Sequence, residues 1–167
     1  MNNQIIVTDN IMPPTALISF LNKISSSNFP WYYSPVVGAD VDIIDEGFNF
    51  QFAHTLYDRN VPRNEWFNSV SFILDFIPNL HSLVKFKVNF NPRYSSVIEH
   101  TYHVDVPFEC KTSVLYLNTN DGYTLFETGE KIQSVENRLV TFPSQLLHTG
   151  TTCTDQKGRF VVNINYF

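Results

Sequence analysis

From residue 84 to the C-terminus the chain consists of short β-type runs separated by turn residues, and this regularity constrains the fold more than any other feature of the sequence. The runs fall near 84–91, 97–106, 112–118, 123–128, 131–135, 138–142, 146–151 and 159–166. Asn120-Asp121-Gly122 reads as a tight hairpin turn, because Asp-Gly suits positive backbone angles. Thr128-Gly129-Glu130, Pro143-Ser144-Gln145 and Lys157-Gly158 mark further turns. Eight short, evenly spaced strands in one half of a chain imply a β-sandwich, a jelly roll or a small barrel.

The first half reads differently. Pro13-Pro14 precede apolar residues at helical spacing over 15–24, and a second helix is expected over 64–76, after Pro62 and stopped near Pro78. Trp31-Tyr32-Tyr33 and an extended segment over 48–57 lie between them and read as loop and short strand. The fold expected is mainly β with N-terminal helices packed on one sheet. Residues 1–83 would form the buttress and lid, and 84–167 the barrel, within a single compact domain.

Composition narrows the class. In 167 residues, 43% are apolar and only 16% charged, which excludes a disordered chain or a coiled coil. Eleven basic against sixteen acidic side chains give a net charge of −5 with no Lys/Arg run, so nucleic-acid backbone binding is not expected. The sequence has no apolar run long enough to span a bilayer, and Met1-Asn2-Asn3-Gln4 does not resemble a signal peptide. Two cysteines, Cys110 and Cys153, make no disulfide framework and read as reduced thiols near one end of the barrel. A cytoplasmic location is the expectation.

Two strands carry a pattern with chemical meaning. In 159–166 one face reads Arg159, Val161, Asn163, Asn165 and the other Phe160, Val162, Ile164, Tyr166. In 97–106 one face carries Glu99, Thr101, His103 and Asp105, and the other Ile98, His100, Tyr102, Val104 and Val106. If the sheet curls into a barrel, the polar faces line a pocket. His103 and Asp105, two apart, then present an imidazole and a carboxylate side by side. That pair is two thirds of the facial triad that binds non-haem Fe(II) and leaves positions open. Chance alone supplies about 0.3 such pairs in a chain of this composition, so context decides. His148 lies 43 residues downstream, and Arg159 follows it by 11, each at the start of an expected strand.

With those residues in place, the chain resembles the 2-oxoglutarate- and Fe(II)-dependent oxygenases. It is most similar to their prolyl-4-hydroxylase-like branch, which includes small phage-encoded members. The resemblance rests on His103-Val104-Asp105, Val114-Leu115-Tyr116-Leu117-Asn118, His148 and the run from Arg159 to Tyr166. It implies a double-stranded β-helix (jelly roll) in which His103, Asp105 and His148 hold Fe(II). The cosubstrate 2-oxoglutarate would chelate the metal, with its far carboxylate on Arg159 and Tyr116. O2 would be consumed, ascorbate would serve as a reductant, and the carboxylate of Asp105 would favour hydroxylation over halogenation. Two positions depart from the family pattern. Asn91 stands where a tyrosine often precedes the strand-ending proline, and Asn163 stands where a small hydroxyl residue is common. Both keep hydrogen-bonding capacity and would touch the cosubstrate.

Plainer readings attach to other residues. His100 falls on the strand face opposite His103 and is expected beneath the helices, while His54 and His81 read as structural or exposed. Trp31, Tyr32 and Tyr33 read first as core or surface aromatics and second as a substrate lid. The substrate implied is a protein residue of prolyl type or a small molecule. The competing functions are a non-catalytic jelly-roll binding module and a cupin-like metalloprotein that does not use 2-oxoglutarate.

Overall fold

The structure is a computed structural model that describes residues 4–35, 37 and 50–167. Met1 to Asn3, and the part of the expected 48–57 segment before residue 50, lie outside the described residues. The elements in chain order are β1 (Ile6–Asp9), α1 (Pro14–Ile24), β2 (Tyr32–Ser34), β3 (Gln51–Asp58), β4 (Val61–Pro62) and α2 (Trp66–Val70), which continues as a 3-10 turn over Ser71–Phe76. Then come β5 (Leu83–Pro92), β6 (Lys111–Tyr116), β7 (Tyr123–Phe126), β8 (Lys131–Gln133), β9 (Arg138–Pro143), β10 (His148–Gly150) and β11 (Gly158–Tyr166).

Among the described residues, eight strands form one antiparallel sheet in the order β1-β9-β6-β11-β5-β3-β2, with β4 paired to β3. A second, smaller sheet runs β10-β7-β8. Two sheets facing each other with strands drawn alternately from the C-terminal half make a double-stranded β-helix, and the helices cover the outer face of the larger sheet. Period-2 alternation produces this arrangement. Phe86, Val88, Val162, Ile164 and Tyr166 point outward and bury against Leu17, Phe20 and Ile24 of α1. Between the sheets a second apolar cluster, including Val114, Tyr116, Phe126 and Phe142, forms the back wall of the barrel.

Asn137 is one of the ties between the N-terminal segment and the barrel. Asn137, at φ 63°, sits in the left-handed region that asparagine tolerates. Its amide accepts from Met12 N and donates to Met12 O at 3.2 and 2.8 Å. This pair of hydrogen bonds sets the entry to α1, and β1 adds to the sheet edge beside β9.

The structure corrects three expectations. The run 97–106 is not a ladder strand: among the described residues its β-type pairing is limited to the isolated bridges Glu99↔Thr151 and His103↔His148. Three residues lie between the bridged positions on one side and two on the other, so the segment carries one extra residue, as a bulge does. Asn120-Asp121-Gly122 is not a hairpin turn, because β6 and β7 belong to different sheets and the segment carries the chain between them. The helix expected over 64–76 is one α-turn that tightens to 3-10 geometry at Ser71.

Candidate active site

The pocket floor is built by the β5–β11 pairing. Its inward residues oppose one another as Asn91–Arg159, Asn89–Val161, Lys87–Asn163 and Lys85–Asn165. On the other flank of β11, Val114 and Tyr116 of β6 oppose Asn163 and Val161. The cavity is about 250 Å³, just below the ~300–1,000 Å³ common for small-molecule sites. His100, His103, Asp105 and His148 enter it from the opposite side.

Three ligand-type side chains converge. His103 Nε2 lies 3.9 Å from Asp105 Oδ1, and His148 Nε2 lies 3.6 Å from Asp105 Oδ2. One ligand atom from each residue falls within 4.8 Å of the others. The far nitrogen of each ring is already held: His103 Nδ1 donates to Thr101 O and His148 Nδ1 to Leu146 O, both at 3.0 Å. A carbonyl can only accept, so the proton sits on Nδ1 and the Nε2 lone pairs face the common centre. This is how metal-ligating histidines are fixed in tautomer and orientation. Burial pushes His148 toward its neutral form, the one that can ligate, against the pull of Asp105. Burial also pushes the Asp105 carboxyl up. His148, His103, the Asn163 amide and Lys87 outweigh it and hold the group below the usual carboxylate range. The donor set therefore suits a divalent ion of the iron or manganese type.

Asn163 does something other than what the resemblance implies. Its Nδ2 donates to Asp105 Oδ1 at 2.9 Å, and Asn165 Nδ2 reaches Asp105 Oδ2 at 3.5 Å and Thr112 Oγ1 at 2.8 Å. These amides orient the carboxylate. Asn91 lies directly across from Arg159, buried, with Oδ1 unpartnered. The Oδ1 atoms of Asn89 and Asn163 are likewise buried and unpartnered.

Arg159 is 2% exposed at the closed end of the cavity. Its Nε donates to Ser134 Oγ at 2.7 Å and Nη2 to Thr124 Oγ1 at 3.1 Å, and the guanidinium lies 5.2 Å from the centre of the Tyr116 ring. Among the described residues no carboxylate lies within ion-pair distance of it. Two of its five N–H donors are thus held by hydroxyls, and the fork remains able to take an oxyanion. Tyr116 stands one layer behind: its hydroxyl donates to Thr124 Oγ1 at 2.8 Å and lies 3.3 Å from Ile132 O. Thr124, rather than Tyr116, faces the cavity beside Arg159. Gly122 lets the arginine lie there. A Cβ on Gly122 would come within 2.8 Å of Arg159 Cδ and 2.6 Å of Thr152 O.

His100 lines the cavity instead of packing beneath the helices. A regular strand would put residues 100 and 103 on opposite faces, and the extra residue between the two bridges restores them to the same one. Burial, then Arg159 and His103, push its pKa down to about 4. Lys85 and Lys87 also line the cavity, and sequence reasoning passed over them. The signal was present, since 84–91 alternates Val, Phe, Val, Phe with Lys, Lys, Asn, Asn. Burial and the neighbouring Lys85 push Lys87 down to about 8, which leaves it mostly a cation at neutral pH.

The remaining candidates lie elsewhere. His54 packs against Phe29 and Tyr32 and meets the Asn64 amide at 2.8 Å, away from the cavity. Trp31 is anchored to Ile24 O and stacks in the helix-side core, while Tyr32 and Tyr33 are exposed on edge strand β2. Cys110 and Cys153 are buried and free. Asp121, Cys153 and Asp155 also approach one another, but Asp121 is engaged by the Thr154 backbone and hydroxyl, and Asp155 by Asp121 N.

Neither a protein-family model nor a curated protein matches the chain. Solved structures do. A prolyl hydroxylase from Trichoplax adhaerens, in complex with a peptide fragment of the hypoxia-inducible-factor oxygen degradation domain, is 16% identical with a TM-score of 0.68, covering 99% of this chain and 84% of that one. A 2OG-Fe(II) oxygenase-family oxidoreductase from Burkholderia pseudomallei is 12% identical with a TM-score of 0.67, covering 97% and 84%. The viral collagen prolyl hydroxylase of Paramecium bursaria Chlorella virus-1, solved as a 2OG complex, is 13% identical with a TM-score of 0.59, covering 98% and 96%. At these identities the likeness is one of architecture: the chain has the double-stranded β-helix fold of the 2-oxoglutarate oxygenases.

Proposed function

We propose that this protein is a 2-oxoglutarate- and Fe(II)-dependent dioxygenase that hydroxylates a protein residue of prolyl type or a small molecule. One observation carries the reading: His103, Asp105 and His148 converge in the same cavity whose closed end holds a buried guanidinium with no carboxylate partner among the described residues. A keto dicarboxylate has one end for each.

Fe(II) and 2-oxoglutarate, when bound, supply an oxidant made from O2 as the keto acid is decarboxylated to succinate and CO2. The chain's residues do the rest. His103 and His148 offer neutral Nε2 donors because their Nδ1 protons are committed to backbone carbonyls. Asp105 would supply the anionic donor, steadied by Asn163, and a carboxylate in that place favours hydroxylation over halogenation. Arg159 binds the distal carboxylate, its plane fixed by Ser134 and Thr124. Val114 and Val161 give the cavity an apolar wall that limits water near the reacting centre. Ascorbate would keep the metal reduced. The two peptide-acting enzymes among the similar structures support a protein or peptide substrate.

Calorimetric titration with Mn(II) and 2-oxoglutarate, followed by aerobic succinate release with Fe(II) and ascorbate, tests the reading. His103→Ala and Asp105→Ala should lose metal binding, and unchanged affinity would overturn the triad. Binding of both partners with no succinate under any substrate would favour a non-catalytic jelly-roll module. A cupin-like metalloprotein gives no reason to bury Arg159 unpaired.

A further inference from the structure

The cavity has cationic groups at two levels, and the proposed cosubstrate accounts for only one of them. Arg159 lies opposite Asn91 at the closed end. Lys87 and Lys85 lie opposite Asn163 and Asn165, the two residues whose amides reach Asp105. Asn163 lies four positions along β11 from Arg159, which is roughly 13 Å of strand. The lysines therefore flank the triad on the side away from Arg159, where a prime substrate must approach once the cosubstrate fills the arginine side.

Neither lysine has an ion-pair partner among the described residues. Among the described residues no carboxylate lies within 4 Å of either ammonium, and Lys87 has no hydrogen-bond partner. Two of the chain's six lysines thus face one cavity in a protein of net charge −5. With a divalent ion on the triad, the ion and Asp105 together carry one positive charge, to which Arg159, Lys85 and Lys87 add three. A cosubstrate dianion removes two of the four. The excess sits in a confined site where water screens it poorly. Snorkelling to bulk solvent, the ordinary fate of a strand lysine, is only partly available to Lys87, which is half-buried.

We propose that the prime substrate carries an oxyanion, a carboxylate or a phosphate, close to the carbon that is oxidised, and that Lys87, supported by Lys85, holds it. This rests on the oxygenase reading above. The unpartnered Oδ1 atoms of Asn89 and Asn163 flank Lys87 in register, so the same substrate end also presents an N–H or O–H donor to them. A purely apolar substrate end does not match this wall.

The test uses protein loaded with Mn(II) and saturating 2-oxoglutarate under nitrogen, and reads the proton relaxation that the paramagnetic ion induces in nearby probes. N-acetyl-aspartate amide is compared with N-acetyl-asparagine amide, and O-phosphoserine with serine. The first pair reports a carboxylate and the second a phosphate. At least one acidic member should relax faster than its neutral partner. Its dissociation constant should rise about tenfold or more in Lys87→Met and return toward the original in Lys87→Arg. Lys85→Met should weaken it in the same direction and guards against a Lys87 variant that folds poorly. Equal relaxation within both pairs, or an acidic probe indifferent to both methionine variants, overturns the proposal. Relaxation of 2-oxoglutarate itself is read in the same samples. If the cosubstrate shows none, the oxygenase reading fails. If it relaxes and the acidic probes do not, only the lysine assignment fails.

Discussion

Arg159→Met separates the binding role of this residue from a structural one. In the ligand-free protein the guanidinium is buried with two hydroxyl partners and no counter-charge among the described residues. Removing it loses two hydrogen bonds to a charged donor, about 1.5–3 kcal/mol each. It also relieves an unpaired buried charge, a penalty of several kcal/mol. Methionine fills most of the vacated volume and adapts to its surroundings. The two effects nearly cancel, so the melting temperature of the ligand-free variant should stay within a few degrees of the parent.

The ligand-bound comparison does not cancel. At a 2-oxoglutarate concentration of about 100 times its dissociation constant, binding stabilises the parent by about 2.7 kcal/mol. At ~2–4 °C per kcal/mol for a domain of this size, that is a rise of roughly 5–11 °C. Losing a two-pronged arginine–carboxylate contact weakens binding by about a hundredfold or more. At the same concentration the variant then gains only about 0.4 kcal/mol, a shift of roughly 1 °C. Differential scanning fluorimetry with and without 2-oxoglutarate, in the presence of Mn(II), measures both. A variant that still shifts by the parental amount would refute the anchoring role. A ligand-free variant that melts more than about 10 °C lower would show the guanidinium to be a structural keystone.

Gly122→Ala should raise the 2-oxoglutarate concentration needed for half-saturation while leaving metal affinity near normal, since its Cβ would displace Arg159 Cδ from 2.8 Å and cannot move Thr152 O; calorimetry with each ligand checks this. Asn163→Ala should weaken Mn(II) binding about 10- to 100-fold by freeing the Asp105 carboxylate, read by metal titration of the folded variant. His100, held at about 4 against 6.5 when unfolded, takes up its proton first in the unfolded chain. Its contribution is complete above pH 6.5 and is lost as pH falls toward 4, by roughly 2–3 kcal/mol. Urea melts across that range should steepen less with acid in His100→Gln, and an identical pH slope in the variant would remove His100 from this role.

Strand pattern and ligand order were legible because both are local. The alternation over 159–166 assigns Arg159 and Asn163 inward and Val162 and Ile164 outward, and β11 is built that way. His103 and Asp105 converge although their segment is no ladder strand, because two extended residues share a side with or without a neighbour. What failed was non-local. The parity of His100 depends on one extra residue opposite β10, and no feature of 97–106 alone announces it. Asp121-Gly122 carries the local marks of a hairpin, yet its glycine answers to the approach of Arg159, 37 positions downstream. Tyr116 shares a face with the pocket, but Thr124 from the other sheet intervenes and takes its hydroxyl. β1 escaped notice because four residues at a sheet edge, exposed throughout, have neither length nor alternation to mark them.

Charge shows the same division between what a sequence sums and what a fold arranges. The chain's −5 argues against polyanion binding only if its charges are spread over the surface. Here they are sorted. Three of eleven basic side chains, Lys85, Lys87 and Arg159, line one cavity in which Asp105 is the single carboxylate among the described residues. Period-2 alternation of β5 and β11 does the sorting, since it turns Lys85, Lys87 and Arg159 to the same side of adjacent strands while phenylalanine and valine face the helices. An acidic protein thereby keeps a cationic interior. The two cationic levels, set about four strand residues apart around one metal-type triad, leave room for two anionic groups in sequence: a cosubstrate first, and then whatever the lysines select.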